Sequence, residues 1–564
     1  MAGTWTQLTN QPTFAASTML LLTDGTVMCQ QSGASNWWKL TPDDTGDYVN
    51  GTWNALSPMP NAPLYYASAV LRDGRVFCAG GEYNNFVPNA DLLVAEIYDP
   101  LTNAWTTLGT PAGWDKIGDA PCCLLPNGRV LLGAIDSTKT AIYDPAANTW
   151  TVAGTKDDAS SEETWTLLPD GTILTVECTN VGKAEKYLPA QDKWVSAGNT
   201  PVTLPQSCPG LVAEIGPALL LPNGRVFAIG ATGHTALYTP PAVINQPGAW
   251  NAGPDFKDIN GNLMYAMDAP ACLLPNGKVL CTVGPAPPCS YPAPTTFFEY
   301  DGTALKQIAG PSNASGQPYV GRMLLLPTGQ VLYAAASQSI SVYTPDGVPQ
   351  DAWRPTITTC PNHLYVGQTY TLNGRQLNGL SQANSYGDDA TMATNYPLVR
   401  VRHSNGKTYY CRTANHSTMA VATGTAIEST EFTVGCIPDG SGLLFVVANG
   451  IASKPVEVVI GGQKQPVRVP ITEGLVQVLI GSLADGPLWA LTPHGPVPIG
   501  PWGPFQPKLV QRAQSIRSSL LAVIKQSIQL GEDVLTLQQT RERQNPTPNL
   551  EPTLKGTSAK RSSK

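Results

Sequence analysis

Seven times in its first two thirds, this 564-residue chain runs through the same figure: apolar residues, a turn ending in glycine, and apolar residues again. One copy reads Leu124-Leu125-Pro126-Asn127-Gly128-Arg129-Val130, and close variants centre on Gly25, Gly74, Gly171, Gly224, Gly277 and Gly329. Successive turn glycines lie 49, 54, 43, 53, 53 and 52 residues apart. A period of that size implies stacked copies of one supersecondary unit, each too small to bury its own apolar face. In most units Asp-Gly or Asn-Gly supplies positive φ at little cost, so the flanking runs fold back as a tight hairpin. A third strand follows, as in Ala95-Glu96-Ile97-Tyr98-Asp99, and a fourth begins at a tryptophan such as Trp105 or Trp150.

Four antiparallel strands per unit of about 50 residues resemble the kelch signature of a β-propeller blade. The fold class is therefore all-β, with a seven-bladed propeller over residues 1–353. The recurring tryptophan reads as packing between blades, not as a ligand cage. Gly3-Thr4-Trp5-Thr6-Gln7-Leu8 precedes the first unit as an orphan fourth strand, while the seventh unit lacks one. The N-terminal strand is expected to complete the last blade, because a closed ring leaves no sheet edge exposed. Composition agrees: charged residues make up 13%, about half the usual ~25%. Gly 53 and Pro 51 make 104 of 564 residues, as a turn-dense β protein requires.

From Arg354 to Gly461 the period is gone, but strand-like segments continue, such as Leu398-Val399-Arg400-Val401-Arg402 and Leu443-Leu444-Phe445-Val446-Val447. Roughly seven such segments over residues 354–461 fit an immunoglobulin-like sandwich. A Pro/Gly-rich connector over 462–507 reads as a hairpin or an extended strap. Residues 508–543 then switch to helical spacing. Leu509, Ala513, Ile516, Leu520, Val523, Ser527, Leu530, Val534 and Leu537 alternate steps of 4 and 3, which is a heptad seam broken by one polar residue. Such an amphipathic helix either packs on its own propeller or recruits a partner, through self-association or another protein. Leu509, Ile516, Leu520, Val523, Leu530 and Leu537 are the candidate contact residues. The tail over 544–564 is polar and basic, and is expected to be disordered.

The net charge of −7 and the lack of a basic stripe argue against nucleic acid as partner. No stretch approaches the roughly 18 to 20 apolar residues of a membrane span. Residues 1–7 show neither a basic region nor an apolar run, so the expected address is cytoplasmic, or exported without a cleavable signal. The twelve cysteines lack C-x-x-C spacing and several end apolar runs, which reads as buried free thiols.

Two stretches carry a closer likeness. Tyr319-Val320-Gly321-Arg322-Met323 leads into the seventh turn, and Tyr386-Gly387-Asp388-Asp389-Ala390-Thr391-Met392-Ala393-Thr394-Asn395 lies in the following domain. With seven kelch units, they resemble the galactose oxidase and glyoxal oxidase family of copper-radical enzymes over roughly residues 1–460. That resemblance implies copper held by two tyrosines and two histidines, one tyrosine crosslinked to a cysteine. Tyr319 matches one ligand tyrosine. The other matched positions hold Val320, Asp119, Ala67 and Met392, with Thr391 beside the last, and none of these can replace an imidazole, a radical phenol or its thioether. The expectation is therefore no copper cofactor and no catalytic residue, with an oxidase bearing a rearranged metal site as the competing reading.

Anchored on the turn glycines, the positions that should line the mouth of the ring are Tyr65, Asp119, Glu162, Asp268 and Tyr319, with Glu163, Trp165 and Glu214 nearby. Acids converging on one axis would make a negative funnel suited to a cation, a polyhydroxyl such as a carbohydrate, or a basic ligand. The alternative is a set of solvated loop ends that merely avoid burial. Spacing does not set the oxygen geometry that calcium requires. The expected function is a non-catalytic binding or assembly module, tethered by its C-terminal helix.

Overall fold

Each of the seven turn glycines lies at φ between +78° and +86°, and the Asp, Asn or, in the seventh, Thr before it keeps negative φ. In the third unit the Gly128 amide donates to Leu125 O and the Leu125 amide to Arg129 O, both at 2.8 Å. Asn127 Oδ1 accepts from the Arg129 amide at 3.0 Å. The hairpin is therefore a three-residue loop in which glycine alone takes the left-handed position. The computed structural model describes residues 3–88, 90–209, 213–384 and 392–461, with the backbone of 489–492 and 495–498.

These hairpins build seven four-stranded antiparallel sheets. Blade 1 is Ala16–Leu21, Val27–Gln31, Trp37–Thr41 and Thr52–Ala55. The innermost strands of blades 2 to 7 are Ala67–Val70, Cys122–Leu124, Thr166–Leu167, Ala218–Leu220, Ala271–Leu273 and Gly321–Leu325. All are buried, and apolar apart from Ser68, Thr166 and Arg322. Thr4–Gln7 pairs with Ser341–Thr344 as the outer strand of blade 7, placing Trp5 opposite Tyr343. The ring is closed by its N-terminal strand, as expected.

Residues 354–461 form one curled sheet of nine strands in place of two separate layers. Its geometry follows from the chain. Thr356–Thr359 and His363–Leu364 stand at opposite ends of the strand order, yet only residues 360–362 separate them. Three residues reach at most about 14 Å, so the sheet must bend until its two ends meet. The space enclosed is filled by Leu372, Val401, Cys411, Phe432, Leu444 and Val458.

The turn end of the ring faces this sheet: a Cβ on Gly25 would meet the Tyr410 ring and one on Gly450 would meet Gly329. From the sheet a loop enters the ring. The amide of Leu167 donates to Gln382 Oε1 at 2.8 Å, the amide of Leu273 to Ala383 O at 2.8 Å, and Asn384 Nδ2 to Met323 O at 2.6 Å. Residues 382–384 thus tie the inner strands of blades 4, 6 and 7. At the opposite end, where the inner strands start, a cavity opens on the axis.

Two compact units divide the chain, Met1–Arg468 and Val469–Lys564. In the second, Trp489–Thr492 pairs antiparallel with Gly495–Pro498, a hairpin within the Pro/Gly-rich connector. The described residues contain no α-helix, only three 3-10 turns. The helix expected over 508–543, with Leu509, Ile516, Leu520, Val523, Leu530 and Leu537, and the tail over 544–564 lie outside the described residues.

Candidate functional site

Each inner strand starts at the open end of the ring, so the residues just before it converge on the axis. Tyr65 precedes blade 2, Asp119 blade 3, Glu162 blade 4, Glu214 blade 5, Asp268 blade 6 and Tyr319 blade 7. They stand nine or ten residues before their turn glycines, which sets a common depth. All six line a single cavity of about 580 Å³. The five positions expected at the mouth are therefore brought together, and Glu214 joins them. Glu163 and Trp165 do not. They are buried in blade 4, where Trp165 Nε1 donates to Glu163 Oε1 at 2.9 Å and Glu163 pairs with Lys156.

Loops that do not follow the repeat complete the wall. Glu82, Tyr83, Phe86 and Asp91 come from the loop between the second and third strands of blade 2, and Tyr291 from the matching loop of blade 6. Four phenols form a chain of ring contacts: Tyr83 to Tyr65 at 5.7 Å, Tyr65 to Tyr319 at 6.4 Å, and Tyr319 to Tyr291 at 5.2 Å. Arg322, 1% exposed, lays its guanidinium 5.6 Å from the Tyr65 ring centre and donates to Tyr319 O and Gly321 O at 2.7 Å. At the rim, Lys116 Nζ bridges Asp91 at 3.1 Å and Asp136 at 2.9 Å.

The loop holding Tyr291 is stapled. A disulfide joins Cys208 to Cys289, 81 residues apart, linking the strand-end loop before blade 5 to the mouth loop of blade 6. Gln206, two residues before Cys208, exchanges backbone hydrogen bonds with Glu214 at 2.8 and 3.1 Å. The Tyr291 hydroxyl donates to Glu214 Oε1. This pair corrects the reading of the cysteines as free thiols only, although Cys29, Cys78, Cys122, Cys123, Cys178, Cys272, Cys281 and Cys411 are buried and outside any disulfide.

Crowding of acids leaves a signature in their titration. Burial pushes the Asp119 carboxyl up to about 8, the charge of Glu82 adds to this, and a hydrogen bond with Glu162 opposes it. Burial also raises Glu214, against the bonds it makes with Asp268 and Tyr291. Tyr83 is pushed up to about 12 by burial and by Glu82, and Tyr291 and Tyr319 rise through burial and the charge of Asp268. These three phenols thus stay neutral, and the mouth is an array of carboxyl and hydroxyl oxygens. Seven lining residues also hold left-handed backbone, among them Tyr65 at φ 57°, Phe86 at 60°, Asp268 at 49° and Tyr291 at 44°. Such residues cost about 1–3 kcal/mol each and gather where the surrounding structure fixes a geometry for use.

The mouth includes seven carboxylates and four phenols, with no imidazole and no thiol among its lining residues. Val320 and Asp119 line it where the copper-radical pattern has a histidine and the crosslinked tyrosine, and Met392 is buried in the ring core.

A model of the kelch motif matches residues 63–112, which include all of blade 2. With the closed ring of seven sheets it shows a seven-bladed propeller with a kelch motif in blade 2. No curated protein matches the sequence. Similar solved structures include a fungal alcohol oxidase of the AA5 family in complex with copper, at 12% identity and TM-score 0.46, covering 82% of this chain and 99% of that one. They also include virginiamycin B lyase from Staphylococcus aureus in selenomethionine form, at 11% identity and TM-score 0.41, covering 61% of this chain and 99% of that one. A catalytically inactive form of that lyase with quinupristin is similar at 11% identity and TM-score 0.42, covering 61% of this chain and 100% of that one.

Proposed function

We propose that this kelch propeller is a non-catalytic binding module whose open mouth takes a basic or polyhydroxylated ligand. The observation that carries the reading is the convergence of carboxylates from blades 2 to 6 on one cavity walled by a chain of tyrosine rings. Carboxylate and phenol oxygens accept hydrogen bonds from ammonium, guanidinium or hydroxyl groups, and the ring faces offer a surface to a cation or to the C–H face of a sugar. Tyr65, Asp119, Glu162, Asp268 and Tyr319 are the residues assigned to ligand contact. Carbohydrate is the leading polyhydroxyl.

Copper-radical oxidation is the second reading, and the donor set weighs against it. Copper of that type wants imidazole nitrogen and a thioether-linked phenol, and the lining offers carboxylates. We also read the curled sheet as an immunoglobulin-like domain, supported by its single apolar core, and the seam over 508–543 as the tether to a partner or a second copy. Removal of 508–543 should then lower the mass seen in light scattering or strip partners from a pull-down.

The test of the mouth is a thermal-shift and calorimetric screen of the full chain against oligosaccharides and polyamines. A ligand found in the screen should bind at least tenfold more weakly to Asp119→Asn combined with Tyr319→Ala. Binding that ignores both changes defeats the reading. Stoichiometric copper with an optical phenoxyl-radical band after oxidation would replace it with the oxidase.

A further inference from the structure

We infer that Glu162, Glu214 and Asp268 form an oxygen-only site for a divalent cation of the calcium class at the propeller mouth. The inference rests on reading the mouth as a binding site and names its first occupant. Blades 4, 5 and 6 each supply one carboxylate, and one oxygen from each lies within 4.8 Å of the other two. Oxygens that share one calcium ion at about 2.4 Å are separated by no more than about 4.8 Å, a bound that all three pairs meet.

Glu214 supplies the second, independent observation. It is 4% exposed and lines the cavity. Its Oε1 accepts from the Tyr291 hydroxyl, its Oε2 has no hydrogen-bond partner, and an oxygen of Asp268 lies within 4.8 Å of its carboxylate. A buried carboxyl set beside a half-buried one needs a positive charge or a proton between them. Lys116, at the rim, is engaged by Asp91 and Asp136. The donors are all hard oxygens, which favours calcium over zinc or copper, and the cavity of about 580 Å³ leaves room for waters to complete the coordination. The ion would present open coordination positions to a ligand's hydroxyl or carboxylate groups.

Calorimetric titration of the chelator-treated full chain with calcium chloride tests this. One saturable site per chain is expected, with affinity reduced at least tenfold in Glu214→Gln and in Asp268→Asn. The variant Asp301→Asn, in the turn after the third strand of blade 6 and away from the mouth, should bind like the parent. Melting curves with chelator present confirm that each variant keeps its ring. Terbium provides a second readout, since Tyr291 and Tyr319 stand close enough to sensitise its emission, and that emission should fall on adding calcium. No uptake at calcium up to about 10 mM, or unchanged affinity in Glu214→Gln, overturns the inference. An organic ligand that binds the mouth equally well with chelator, in a chain that takes up no calcium, would sink the cation site and leave the binding-module reading standing.

Discussion

Lys156 is buried in blade 4, where its ammonium pairs with Glu163, lies 3.5 Å from Glu177 and sits 5.4 Å from the centre of the Trp194 ring. Glu185 is buried in the same group, accepting from the Asp157 amide at 2.9 Å, and Asp158 accepts from the amides of Thr179 and Asn180. One ammonium cannot balance three glutamates, so protons stay behind. Burial pushes Glu177 up to about 10, with Glu163 and Glu185 adding to the rise and Lys156 opposing it; Glu185 is pushed up to about 7. A carboxyl whose folded pKa is raised contributes stability that is complete below its ordinary value near 4.5 and is lost as pH climbs through the folded value. Glu177→Gln cannot ionise. Its stability relative to the parent should therefore rise between pH 5 and pH 9, by about 1–3 kcal/mol, read from urea denaturation at both values. A difference that does not change with pH would mean that Glu177 is already charged.

At the scale of the element, the tryptophan that six of the seven outer strands carry acts as a clip between blades; blade 6 has Leu305 in that place. Trp105 Nε1 of blade 2 donates to Ser57 O beyond blade 1, at 3.0 Å, and Trp150 of blade 3 to Gly109 O beyond blade 2, at 2.6 Å. Trp250 reaches Ala197 of blade 4 at 3.2 Å, Trp5 reaches Ala309 beyond blade 6 at 2.8 Å, and Trp53 reaches Asn10 beyond the N-terminal strand at 3.0 Å. Each also leans on the third-strand residue opposite it, as Trp105 does on Tyr98 at 5.1 Å. Blade 4 departs from the rule: Trp194 makes no Nε1 hydrogen bond and instead meets Lys156. Phenylalanine keeps the ring and removes the donor. Trp105→Phe should therefore cost about 1 kcal/mol more than Trp194→Phe in chemical denaturation; equal costs would reduce the tryptophans to space-filling.

For the whole molecule, closure depends on four residues at the N-terminus, Thr4–Gln7, paired with Ser341–Thr344. Deleting residues 1–10 leaves an open edge on blade 7 and removes Trp5 from its contacts with Phe297, Tyr333 and Tyr343. The melting temperature should fall by several degrees, and a midpoint equal to the parent's would mean that the ring closes without that strand. The ring and its closure were legible because turn glycines recur at fixed spacing, and the same spacing found Tyr65, Asp119, Glu162, Asp268 and Tyr319 by depth along the inner strand. Glu82, Tyr83, Phe86 and Tyr291 escaped it, since their loops differ in length from blade to blade and hold no fixed distance to a turn. Arg322 reads as an interruption of an apolar strand until Tyr65 is seen above it. The bond between Cys208 and Cys289 spans 81 residues with no local pattern to announce it, and strand count alone did not distinguish one curled sheet from two layers.

That same bond changes what damage does to the molecule. It encloses all of blade 5 and the inner hairpin of blade 6, along with the tip at Ile259, whose side chain is 97% exposed. A protease nicking the backbone there would produce two fragments that still migrate together, and they would part only after a reductant and a denaturant had both been added.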